Sequence, residues 1–187
     1  MKRVVICGGI GAGKTWLATR LSEIAGIEVT HTDRLFFNEN WTYKTADERQ
    51  NGLANVVKKP AWIIEGVIPD IPKEIQEGKF PDIDHLILLN VPLLKRLSRY
   101  LKRSIANQGC SRPDIPDGAL DGIRISTIIR IICQKNRFMA RFTPGLKGLP
   151  DSVNFIILRT DKDVMRFLQY AQARHCTASV SMVAKVI

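Results

Sequence analysis

Apolar positions along this chain fall into two alternating rhythms. Short unbroken runs stand at Val4-Val5-Ile6-Cys7, Ile63-Ile64, Leu86-Ile87-Leu88-Leu89 and Phe155-Ile156-Ile157-Leu158. Such runs are how strands read when a sheet buries both of their faces. They predict five strands, at 3–7, 27–31, 61–65, 85–90 and 153–158. Between them the spacing turns helical: Leu17, Leu21 and Ile24 recur along one segment, and Leu94, Leu97, Leu101 and Ile105 along another. Strands that alternate with helices imply crossover connections and a parallel sheet. The expected fold class is therefore α/β, three layers around a parallel five-stranded sheet.

The junction of the first strand and first helix reads Gly8-Gly9-Ile10-Gly11-Ala12-Gly13-Lys14-Thr15, the pattern G-x-x-x-x-G-K-[ST] of a phosphate-binding P-loop. Glycines let successive backbone N–H groups turn inward toward phosphate oxygens, and the helix that follows adds its positive end. Residues Gly8 to Thr15 and the adjoining Trp16 are the expected nucleotide-binding segment. Lys14 is placed to reach the β- and γ-phosphates of ATP, and the Thr15 hydroxyl to ligate Mg²⁺.

In an open parallel sheet, ligands bind beyond the carboxyl ends of the strands. That rule selects His31-Thr32-Asp33-Arg34, Glu65-Gly66, Asn90-Val91-Pro92 and Arg159-Thr160-Asp161 to face the P-loop. Asp33 and Glu65 are the acidic residues placed at the mouth of a central strand directly facing the P-loop. Thr32, Asp33 and Arg34 suit the acceptor side, and Glu65 the metal shell beside Thr15. The structural alternatives are a helix N-cap for Asp33 and a carboxylate satisfied by backbone N–H groups for Glu65. The segment after the fifth strand would frame the donor base.

Arg96, Arg99 and Arg103 share one face of the helix at 93–105, opposite its leucine stripe. A second series, Arg130, Arg137 and Arg141, recurs later. Arginines stacked in this way clamp polyphosphates bidentately or else form a solvated basic face. Helix, loop and helix over 93–142 read as a lid that excludes water. His31 reads as a packed strand-end residue, Trp16, Trp41 and Trp62 as packing residues, with Trp41 kept open near the acceptor side. Cys7 and Cys133 read as core thiols.

Composition narrows the classes. The 187 residues carry 45% hydrophobic and 25% charged positions, ordinary for one globular domain. No run reaches the length of a membrane span, Met1-Lys2-Arg3 leads straight into a strand rather than a signal peptide, and the cysteines lack metal or disulfide spacing, so a cytoplasmic protein is expected. The net charge of +10 fits either a polyphosphate substrate or nucleic acid. Residues 1–174 read as one domain and 175–187 as a C-terminal tail, left open between disorder and an edge element.

The order P-loop, His31-Thr32-Asp33, Trp62-Ile63-Ile64-Glu65-Gly66, Val91-Pro92 with Arg99 and Arg103, then Arg112-Pro113-Asp114 resembles the bacterial topology modulation proteins, which are adenylate-kinase-like. The resemblance spans 1–170. It implies a nucleoside-monophosphate-kinase fold with ATP and Mg²⁺ as ligands, Asp33 in the acceptor segment, Glu65 near the metal, and Arg99, Arg103 and Arg137 as lid arginines. The chain departs from adenylate kinases after Glu65-Gly66, where Val67-Ile68-Pro69 replaces the F-P-R whose arginine holds an acceptor phosphate. The leading expectation is an ATP- and Mg²⁺-dependent phosphotransferase acting on a small molecule or nucleotide. The alternative is a nucleotide-dependent nucleic-acid-binding regulator. Acceptor, base preference and oligomeric state are not specified by these residues.

Overall fold

The computed structural model describes residues 1–116 and 118–183, with backbone alone at 135, 136 and 176–183. Its strands are β1 (Arg3–Gly8), β2 (Val29–His31), β3 (Trp62–Gly66), β4 (His85–Leu89) and β5 (Asn154–Leu158). Its helices are α1 (Lys14–Ala25), α2 (Thr32–Phe36), α3 (Ala46–Val57), α4 (Ile71–Gln76), α5 (Leu93–Ala106), α6 (Ile125–Gly145) and α7 (Asp161–Val183). The strands form one parallel sheet in the order β2-β3-β1-β4-β5. All five lie where the apolar runs placed them.

Side chains alternate across each strand, so the sheet has two cores. Val4 and Ile6 pack with Leu17, Leu21, Phe167 and Leu168, beneath α1 and α7. Val5 and Cys7 pack with Trp62, Ile71, Phe138 and Phe142, beneath α4 and α6. Layers of helix, sheet and helix result, as expected. Strand β2 leads into the helix pair α2 and α3, and α3 begins with a capping box in which Thr45 and Glu48 each bond the other's backbone N–H.

Two expectations fail locally. Leu94, Leu97, Leu101 and Ile105 are not the buried stripe of α5: Leu94 is 80% exposed and Ile105 63%, while Arg96, Tyr100 and Ser104 are buried. The amphipathic period is present but inverted, because the helix turns its arginine face toward the P-loop. Cys7 is buried in the core, but Cys133 is exposed, since α6 turns Ile131 and Phe138 inward instead. Helix α7 continues through 175 to Val183; residues 184–187 of the expected tail lie outside the described residues.

Candidate active site

The loop between β1 and α1 closes on itself. Ala12 N–H bonds to Gly9 O at 3.2 Å and Leu17 N–H to Gly13 O at 3.0 Å. Gly13 has φ +96°, a left-handed turn that side chains resist, and it releases the chain directly into α1 at Lys14. Lys14 is buried, and its Nζ curls back to donate to Gly9 O at 3.2 Å. No side-chain cap closes the N-terminus of α1, so its positive end faces the loop's hollow.

Helix α5 supplies cations to this loop at three levels. Arg96, only 4% exposed, donates from Nε to Ile10 O at 2.9 Å, and its guanidinium fills the space a Cβ at Gly9 would need. Gln134 of α6 accepts from Ile10 N–H at 3.3 Å and from Arg96 at 3.4 Å. One turn on, Arg99 donates to Ala12 O at 2.9 Å and pairs with Asp161. Asp161 also takes Lys95 at 2.7 Å, and that bond, with the one from Arg99, holds its carboxyl below the usual range. Arg103, a turn further, lies 3.7 Å from Asp121. A cavity of about 780 Å³ opens between Arg99, Arg103 and the P-loop, and Asp161, Val164 and Met165 after β5 line its far side. Trp16 lines it and is 49% exposed, so it is not a packing residue; Trp62 is.

The opposite flank of Thr15 is acidic. Glu65, 6% exposed at the end of β3, accepts from Thr15 Oγ1 at 3.1 Å and is bonded to His31 Nδ1 at 2.8 Å. Burial opposes its charge, but the His31 bond and the Lys14 charge outweigh that and hold its carboxyl below the usual range. Glu65 is thus satisfied by side chains, not by backbone N–H groups. Asp33 lies within α2, whose N-cap is His31, so it is no cap. Burial is the largest influence on Asp33 and pushes its carboxyl upward; Lys14 opposes the shift, and Glu65 and Asp114 reinforce it. Thr32 is buried against Gly66, where any Cβ would overlap its hydroxyl, so β3 and α2 meet at a distance only glycine permits.

Asp114, quoted in the sequence only as part of the motif that carries the resemblance and given no role there, is a further carboxylate at this flank. It sits in the loop between α5 and α6, with its Oδ2 3.3 Å from Thr15 Oγ1. Arg112 pairs with it at 3.1 Å and with Asp121 at 2.8 Å, and lines the cavity beside Arg99 and Arg103. Arg34 donates to Pro113 O at 3.3 Å, tying the acceptor segment to the same turn. Neither Asp114 nor Arg112 follows a strand, so the rule of strand ends passes over them. Gln134 and the carbonyl role of Arg96 were likewise invisible, having no motif. Arg137 stands exposed on α6 and does not line the cavity.

The donors around Thr15 suit Mg²⁺. They are a hydroxyl and carboxylates, the hard oxygen ligands that ion prefers. Among the described residues no three His, Cys, Asp or Glu side chains converge enough to hold a metal by themselves. That also fits an ion bound through one or two protein oxygens and completed by phosphate and water. No helix among the described residues is long and apolar enough to cross a membrane.

No protein-family model matches the sequence, and no curated protein matches it either. Solved structures do. Shikimate kinase from Acinetobacter baumannii, in complex with shikimate, superposes with a TM-score of 0.56 at 13% identity, over 91% of this chain and 90% of that one. Shikimate kinase from Bacteroides thetaiotaomicron gives 0.55 at 19% identity, over 92% and 97%. A gluconokinase from Sinorhizobium meliloti gives 0.50 at 14% identity, over 98% and 97%. At these identities the likeness is one of fold, and the fold is that of P-loop kinases.

Proposed function

We propose that this chain is an ATP- and Mg²⁺-dependent phosphotransferase of the adenylate-kinase-like class, the class that the topology modulation proteins also resemble. The observation that carries the reading is the inward arginine face of α5. Arg96 and Arg99 bond carbonyls of the P-loop, and Arg99 and Arg103 line the cavity of about 780 Å³ beside it. A solvated basic face would have left them outside, and a footprint for a nucleic-acid backbone needs exposed cations. The inward face therefore favours a transferring polyphosphate over the regulator reading.

In this reading the P-loop backbone and Lys14 hold the β- and γ-phosphates. Thr15 and Glu65 serve the metal, which would neutralise charge shared by those phosphates. Arg99 and Arg103, with Arg137 brought in by movement of the 93–142 lid, stabilise charge on the transferring group. Asp33, beside Thr32 and Arg34, orients the acceptor and takes its proton. A buried carboxylate with a raised pKa suits that task, because it is a stronger base than an exposed one. The neighbours' names give different acceptors, shikimate in one and gluconate in another, so the shared fold does not choose one.

The test is ADP formation from ATP and Mg²⁺ with a panel of nucleoside monophosphates and hydroxylated metabolites, run beside Lys14→Ala. Acceptor-dependent ADP that disappears in the variant is expected. Turnover that survives the substitution would refute the reading.

A further inference from the structure

The turn Arg112-Pro113-Asp114 touches every part of the site. Asp114 reaches Thr15 of the P-loop, the Pro113 carbonyl takes Arg34 of the acceptor segment, and Arg112 joins Asp121, which faces Arg103 of α5. Arg112, Asp114 and Asp121 are each well shielded, with side chains 14%, 12% and 8% exposed. Shielding of that degree makes the pairs sensitive to the loss of either partner.

The contact at Thr15 has a peculiarity. A threonine hydroxyl has a single proton to donate. Two carboxylate oxygens nevertheless stand near it, Glu65 at 3.1 Å and Asp114 at 3.3 Å. Only one of them receives that proton at a time. Whichever does so decides where the oxygen's lone pairs point, and the lone pairs are what a cation uses. Glu65 is fixed in the sheet and already bonded to His31. Asp114 rides on the loop between α5 and α6 and is held there by Arg112. The hydroxyl is therefore shared between a fixed carboxylate and a carried one.

We propose that Asp114 is a positioning residue for phosphoryl transfer, which sets the orientation of the Thr15 hydroxyl and so couples the lid loop to cation use at the P-loop. The inference rests on the phosphotransferase reading, and it adds a residue and a linkage to it. Asp114 acts through Thr15, and the Arg112 pair acts through Asp114. Cation binding and lid position then bias each other, as two events that share one element must.

The experiment is ADP binding by titration calorimetry, in Mg²⁺ and separately in EDTA, so that no turnover is needed. In the wild type Mg²⁺ tightens ADP. Asp114→Asn is expected to reduce that enhancement about tenfold, as the loss of a residue that orients a metal ligand does. Affinity in EDTA should change far less. Thr15→Val removes the hydroxyl, and adding Asp114→Asn to it should then cost nothing further, which a merely structural role would not predict. An Asp114→Asn protein with wild-type Mg²⁺ enhancement overturns the proposal. So does full additivity of the two substitutions. If Asp114→Asn does not fold, Asp114→Glu keeps the charge and displaces it by one methylene, and an unchanged enhancement there overturns the proposal equally. Failure of the wild type to bind ADP in either buffer sinks the phosphotransferase reading itself and this inference with it.

Discussion

The two flanks of Thr15 are built from opposite materials. On the proposed donor side, guanidinium groups grip backbone carbonyls, Arg96 at Ile10 and Arg99 at Ala12, and tie the loop to α5. On the proposed acceptor side, the carboxylates Asp33, Glu65 and Asp114 lie near one another, with Lys14 and Arg112 as cations beside them and His31 hydrogen-bonded to Glu65. The first flank is rigid because its bonds are to main chain. The second is tense at Asp33, whose charge is opposed first by burial and then by Glu65 and Asp114. Binding a polyphosphate requires the first property, and moving a proton requires the second.

Lys14→Ala strikes the point where both flanks meet, so its effect should be largest. ADP formation is expected to fall at least about 100-fold, as when one donor to developing charge is lost, with the far-UV circular dichroism unchanged. Arg96→Ala separates shape from chemistry on the donor side. It strips Ile10 O and Gln134 of a buried charged donor, and should cost about 2–3 kcal/mol in urea unfolding. Arg99→Ala, a turn away and half-exposed, should raise the nucleotide KM about tenfold while stability barely changes. If the two variants behaved alike, the division between loop shape and phosphate clamp would be wrong.

Asp33→Asn tests the tension on the acceptor side. A carboxyl whose folded pKa is raised above its unfolded value of 3.8 favours folding only while protonated. That contribution is full below the unfolded value and is lost as pH rises through the folded one. Asp33→Asn should therefore melt about 2 °C or more above the wild type at pH 7, and the gap should close below the unfolded value even as turnover is lost. Glu65 has the opposite sign: its folded pKa is lowered, so its contribution is present above the unfolded value of 4.5 and fades as pH falls through the folded one. Equal melting temperatures at pH 7 would remove the claim of tension. Lys95→Ala should do least. Its pair with Asp161 is solvent-exposed, and a loss under about 1 kcal/mol, with a small rise in nucleotide KM through Arg99, is expected.

The sheet was legible because its signal is local. Val4 to Cys7 and Leu86 to Leu89 are unbroken apolar runs, and the P-loop glycines announce a turn in which backbone must approach a ligand. Helix α5 shows where local signals mislead. Its period identified two faces, and the ordinary rule buries the leucines. Here the interior facing the helix is a ring of carbonyl oxygens and Asp161, so the arginines turned inward and left Leu94 in solvent. Hydropathy reports which residues differ, but the polarity of the opposing surface decides which face is covered. The roles of Asp114, seen only as part of a motif, and of Gln134 were illegible for another reason. Each is an ordinary polar residue that matters only because loop closure over many residues brings it to the P-loop, at Thr15 and Ile10.

The bonds at Ile10 bear on how quickly a nucleotide can be captured. Its carbonyl is taken by Arg96 and its N–H by Gln134, so the loop's apex is already immobilised in the free protein. Ordering that backbone is a cost met when the chain folds, not at each encounter. The recess is thus a preformed mould, and the entropy lost on association falls chiefly on the incoming molecule.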